Sequence, residues 1–138
     1  MAEKPAWEEV DHTADWALRV RGQDLRTLFE NAARGMIGLI GGEADPNRPP
    51  VSRSIELQAF DWEVLLVKWL AELLYLIEDE GMVFTDVHVQ RVEDFSLRAE
   101  VSGIPGGRFS KYIKAVTYHN LAIRRTANGY ETTIVFDV

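Results

Sequence analysis

The sequence contains no cysteine. Disulfides, cysteine-ligated zinc and thiol catalysis are therefore excluded. It also lacks a long apolar run, and nothing in it approaches the roughly 20 residues that a membrane span requires. The opening MAEKPAWEEV has neither the basic nor the apolar segment of a secretory leader, so a cytoplasmic protein is the expectation. Positive charge is in deficit: 15 Lys and Arg oppose 22 Asp and Glu, a net charge of −7. A chain this acidic repels phosphate backbones at long range, so strong direct nucleic-acid binding is not expected unless a local basic patch overrides the total. Linkers, repeats and low-complexity tracts are absent too. The loosest stretch, Gly41 to Pro50, reads as an exposed loop.

What is present is an ordinary globular composition over 138 residues, long enough for one domain, 1–138, with a real core. Two helices stand out. Asp24 can cap the first, in which Leu25, Leu28, Phe29, Ala32, Met36, Leu39 and Ile40 recur at helical spacing before Gly41 and Gly42. The second begins near Asp61, and its wide apolar stripe runs from Leu65 to Ile77 before Gly81, as expected of a helix buried against a sheet. Trp16 to Val20 and Ser54 to Phe60 alternate as strands do. Met82 to Arg91 and Phe95 to Val101 suggest a hairpin around Glu93 and Asp94. Asn128-Gly129 sits between the alternating run of Leu121 and Ile123 and that of Tyr130 to Phe136, a strong hairpin signal. Lys111 to Asn120 is ambiguous between an extended strand and a short turn. The order predicts a two-layer α+β sandwich, with both helices on one face of a mostly antiparallel sheet.

Most candidate chemistry has a plainer explanation. The serines lack the context of a nucleophile elbow. His12, His88 and His119 are scattered, without a helical pair at zinc spacing, and His88 falls within a strand as a structural residue. Ile104-Pro-Gly-Gly-Arg108 is a glycine loop with one cation but no helix behind it, so it reads as a turn before an anion site. Asp61 and Glu63 suit the positive end of the second helix. Two places stay open. Val10 to Asp15, VDHTAD, holds two aspartates and a histidine, and is either a metal or proton site or a polar bend before a strand. The sequence closes IVFDV, so Asp137 and Val138 stand at the end of a strand. On its own, that adjacency is better explained by accident.

Four stretches, in order, are more specific: His12-Thr13-Ala14-Asp15, Leu28-Phe29-Glu30-Asn31-Ala32-Ala33, Trp69 to Tyr75 (WLAELLY), and Lys114-Ala115-Val116-Thr117-Tyr118. With the closing VFDV they resemble the archease family over nearly the whole chain. The resemblance implies a small α+β protein that assists a GTP-dependent RNA-splicing ligase of the RtcB type. It would promote the ligase's guanylylation and repeated turnover without being an enzyme itself. It also implies a divalent metal, calcium in known examples, with ligands at Asp15, Asp137 and the terminal residue, here Val138. Trp16, Ala17 and Lys68 depart from the family's usual residues without removing a ligand.

All three implied ligands are hard oxygen donors, which favour calcium over zinc. Calcium takes about 6–8 oxygens, so carbonyls, waters or a partner must complete the shell. The metal could be presented to the ligase, or could staple the two chain ends together. Lys114, in a basic cluster with Lys111, His119, Arg124 and Arg125, is a candidate contact for the partner or a phosphate. Two rival functions remain. A general chaperone would need a broad exposed apolar patch, and a hydrolase using Asp15 with His12 would need a ligand-sized pocket.

Overall fold

The computed structural model describes residues 4–10 and 15–138. The elements are β1 (Trp7–Val10), β2 (Trp16–Gly22), α1 (Leu25–Ile40), β3 (Val51–Gln58), α2 (Trp62–Glu80), β4 (Val83–Glu93), β5 (Ser96–Ile104), β6 (Ala115–Val116), β7 (Arg124–Thr126) and β8 (Gly129–Asp137). The α+β class is the predicted one, and every strand pairing is antiparallel. The strands divide into two sheets, however. One has the order β1-β2-β8-β6, with β7 also paired to β8, and the other has the order β3-β5-β4. Alternation in sequence marks which face of a strand is apolar, but not which strands become neighbours. The inward residues of both sheets, such as Leu18, Ile134 and Phe136 or Val89, Leu97 and Val101, join Phe29, Leu66 and Trp69 of the helices in one core.

Both helix starts follow from capping aspartates. Asp24 and Asp61 adopt extended backbone, and their Oδ1 atoms accept the N–H of Thr27 at 2.7 Å and of Val64 at 2.8 Å. Gly81 ends α2 in the left-handed region, at φ 66° and ψ 33°, where the missing Cβ removes the strain. The indole Nε1–H of buried Trp69 donates to the carbonyl of Phe29 at 2.9 Å and ties α2 to α1.

α1 touches β2 of the larger sheet and β4 of the smaller. Its Arg26, Glu30 and Arg34 lie in one row at four-residue spacing. Along the outer edge of β4, Arg26 donates to the Val89 carbonyl at 2.9 Å and Arg34 to the Val87 carbonyl at 3.0 Å. Glu30 accepts the Val89 N–H at 3.1 Å. A helix thus supplies the partners that a neighbouring strand would have given this edge.

The hairpins differ from the sequence reading in their turns. β4 and β5 join through Asp94 and Phe95, both left-handed at φ 52° and 56°. Phe95 reads as a strand former, but the Trp62 ring, 4.5 Å from its own, holds it in the turn. In the last hairpin the turn residues are Ala127 and Asn128, and Gly129 already pairs with Thr126. The strand before that turn starts at Arg124 and not at Leu121. The ambiguous segment Lys111 to Asn120 contains the two-residue β6, followed by a turn around Asn120 at φ 51°.

Candidate functional site

β2 and β8 come from opposite ends of the chain and pair with Trp16 opposite Phe136 and Ala17 opposite Val135. The ladder ends at that Trp16–Phe136 pair; Asp15 leads into β2 in a bend, and Asp137 is the last residue of β8. A register continued by one step would oppose the two aspartates, and opposed residues share a face of the sheet with Cβ atoms about 4.5–5.5 Å apart. Ala115 of β6 faces Asp137 from the other side. On the same face, the next pair inward is Ala17 and Val135, buried at 0% and 5% exposure but outside the central core cluster. Asp137 thus ends β8 and Asp15 leads into β2 beside this small buried apolar pair. Val138 follows β8 directly and is 37% exposed.

The end of β8 is held from the far side by the backbone. The Lys114 N–H donates to the Asp137 carbonyl at 2.7 Å. The Thr117 N–H and hydroxyl both donate to the Val135 carbonyl, at 3.0 and 2.9 Å. Lys114 thus steadies Asp137 through its main chain, and its side chain is exposed. Thr117 escaped the sequence reading because a threonine in an uncertain segment carries no signal for that double bond.

His12, the tempting residue of VDHTAD, lies outside the described residues, as do Asp11, Thr13 and Ala14. Among the described residues, no three His, Asp or Glu side chains group closely enough to hold a metal. Among the described residues, Asp15 and Asp137 flank the last pair of the β2–β8 ladder, and Val138 follows Asp137. Oxygen donors of this kind suit a hard divalent cation with an incomplete protein shell.

The remaining candidates are structural. His88 places Nδ1 3.7 Å from Glu30 at the seam between α1 and β4. The glycine loop cannot cradle an anion, because its N–H groups are spent on carbonyls. Gly106 donates to Glu80, Gly107 to Gly81 and Arg108 to Glu43, at 2.9, 2.8 and 3.0 Å. Asp61 is a cap as expected. Glu63, beyond its place at the positive helix end, accepts the Ile123 N–H at 2.8 Å and anchors the loop before β7. Lys68 caps the Gln58 carbonyl at 2.8 Å.

A hydrolase built on Asp15 predicts a pocket there. Two grooves stand out among the described residues. One, of about 460 Å³, is lined by residues such as Glu56, Arg91, Ser96 and Arg98 on the open face of the β3-β5-β4 sheet. The other, of about 310 Å³, lies by Glu43, Asp45 and Arg108. Neither includes Asp15 or Asp137.

Comparison with known proteins identifies the family. Residues 7–138 match the model of the Archease protein family (MTH1598/TM1083). The protein archease of Methanosarcina barkeri is 36% identical over 140 residues, covering 96% of this chain and 95% of its own. That of Archaeoglobus fulgidus is 36% identical over 136 residues, covering 94% and 96%. The solution structure of Methanobacterium thermoautotrophicum protein 1598 superposes with a TM-score of 0.73 at 27% identity, over 96% of this chain and 99% of its own. The crystal structure of a Thermotoga maritima archease, described as a possible chaperone, shares the fold with a TM-score of 0.67 at 23% identity, over 100% of this chain and 98% of its own. Family match, relatives and fold agree, and the chain belongs to the archease family.

Proposed function

We propose that this protein is the accessory activator of a GTP-dependent RNA-splicing ligase of the RtcB type. In this reading it promotes the ligase's guanylylation and multiple turnover, and supplies no bond-making group of its own. Asp15, Asp137 and Val138 hold a divalent ion, calcium. The observation that supports the reading is the register of β2 and β8, whose last pair, Trp16 with Phe136, leaves aspartates 122 positions apart in sequence at the same end of the ladder. Archease membership supports the same assignment. A bound divalent ion offsets the repulsion of paired carboxylates and offers open coordination positions to a partner. The chain's own contribution is to fix the carboxylates: Lys114 and Thr117 clamp the end of β8, and the ladder of β2 with β8 sets the spacing.

The test is guanylylation of the partner ligase, measured with native protein, Asp15→Ala and Asp137→Ala. Native protein is expected to stimulate, and either variant, while remaining folded, to stimulate little or not at all. Full stimulation by Asp15→Ala would remove the carboxylate pair from the function. The general chaperone reading, suggested by the description of the Thermotoga maritima relative, calls for protection of unrelated unfolded clients. The large exposed apolar side chains include Phe60 and Tyr75 on α2 and its approach, and Tyr112 and Tyr118 around β6. Suppression of aggregation of an unrelated client by native protein would favour that reading.

A further inference from the structure

Charge is distributed very unevenly along this chain. Between Val101 and Tyr130 there are five Lys and Arg and no acidic residue, so all 22 Asp and Glu lie elsewhere. The five are Arg108, Lys111, Lys114, Arg124 and Arg125, and all are exposed. Among the described residues, salt bridges engage Arg19, Arg21, Arg26, Arg34, Arg53, Arg91 and Arg98, but none of these five. Lys111 instead lies 6.0 Å over the Trp16 ring, and Arg125 lies 5.8 Å over Tyr130. Arg124 stands opposite Glu131, whose carboxylate is shared by Arg19 and Arg21.

The fold lays four of them, Lys111, Lys114, Arg124 and Arg125, along one line, whereas Arg108 pairs with Glu43 through the backbone beside a separate groove. From Lys114 onward the segment follows β8 backwards: Lys114 bonds Asp137, Thr117 bonds Val135, the Ala122 carbonyl accepts the Thr132 hydroxyl, and Arg124 faces Glu131. Two tyrosines interrupt the cations, Tyr112 at 69% exposure and Tyr118 at 55%. The line passes directly beside Asp137.

We propose that this strap, Lys111 to Arg125, is a docking face for an acidic protein surface. The inference rests on the accessory reading for which partner docks, but not for the partner's chemistry. Exposed tyrosines among unpaired cations are the residue types that anchor protein interfaces. A compact acidic patch can cover the strap and touch little else. A nucleic-acid strand carries its charge along its whole length, and would run past the strap on to the surface that holds the chain's carboxylates, Asp137 among them. Docking here would set the Asp15–Asp137 pair at the margin of the interface, where a partner can reach it.

The test has three arms. In the first, the amide resonances of the full chain are followed while a short glutamate-rich peptide is added. Shifts are expected within 111–125, weakening with added salt. They should vanish in the triple variant Lys111→Glu, Arg124→Glu, Arg125→Glu, whose fold is checked by its own amide spectrum. In the second, an oligouridine of equal charge replaces the peptide, and is expected to bind more weakly. In the third, affinity for the ligase is measured with native protein and the triple variant, and the variant is expected to bind roughly tenfold more weakly or worse. Peptide shifts outside the strap, or tighter binding of oligouridine, would overturn the docking face. Equal ligase affinity of native protein and variant would overturn it and leave the accessory reading standing. Peptide binding on the strap by a chain that does not bind the ligase would leave the docking face standing and overturn the accessory reading.

Discussion

Asp24 shows how much one side chain decides. Hydrogen bonds from the side chain and backbone of Thr27 hold its carboxyl below the usual range, helped by Arg26, against an opposing effect of burial. A carboxyl lowered in the folded state stabilises it fully above the unfolded value of about 3.9, and that contribution is lost as pH falls through the folded value. Asp24→Ala should therefore cost about 1 kcal/mol in urea unfolding at neutral pH. The difference between variant and native protein should shrink as the pH is taken below the unfolded carboxyl value, and a constant difference would count against this account. Trp69 makes a comparable case in the core. Trp69→Phe keeps a ring but leaves the buried Phe29 carbonyl without its indole donor. A loss of roughly 1–3 kcal/mol in the same unfolding assay is expected, including the smaller ring's cavity.

At the scale of elements, the seam between α1 and β4 does the most to define this fold. β4 is an edge strand, and an uncovered edge invites pairing with other chains. The row of Arg26, Glu30 and Arg34 covers it, and Glu30 holds the centre, bonding the Val89 N–H while facing both arginines and His88. Glu30→Ala leaves that N–H without its acceptor. The expected result is faster hydrogen exchange at Val89 than at amides of β5, with a stability loss of about 1–3 kcal/mol. Unchanged protection at Val89 would show that the edge is secured in another way. The β2–β8 ladder joins the two ends of the chain, with Asp15 and Asp137 at the same end of it.

For the whole molecule, the prediction concerns the metal. An ion that binds only the folded state stabilises it by RT ln(1 + [L]/Kd), roughly 2.7 kcal/mol at about a hundredfold excess over Kd. Calcium should raise the unfolding temperature of native protein and leave Asp15→Ala and Asp137→Ala unmoved. A native protein indifferent to calcium, or variants that respond as it does, would exclude this site. Because the carboxylates come from strands at the two ends of the chain, the same ion would tie those ends together. Stapling and presentation are then two consequences of one geometry. Ligase stimulation by a folded Asp137→Ala variant would leave stapling alone.

The sequence by itself determined the two helices, their capping aspartates and terminal glycines, and the alternation of the main strands, because capping and periodicity are local; its specific motifs carried the resemblance to the family. It also marked Asp15, Asp137, Val138 and Lys114 as candidates through the family's motifs. Only the tertiary structure decided that the strands form two sheets, that Phe95 belongs to a turn, and that Glu30 and Glu63 serve backbone groups far away in the chain. It alone brought Asp15 and Asp137 to the same end of one ladder and laid Lys114 to Arg125 along β8. Those outcomes depend on which strand lies beside which, and long-range pairing is set by packing of the whole core and not by any local pattern.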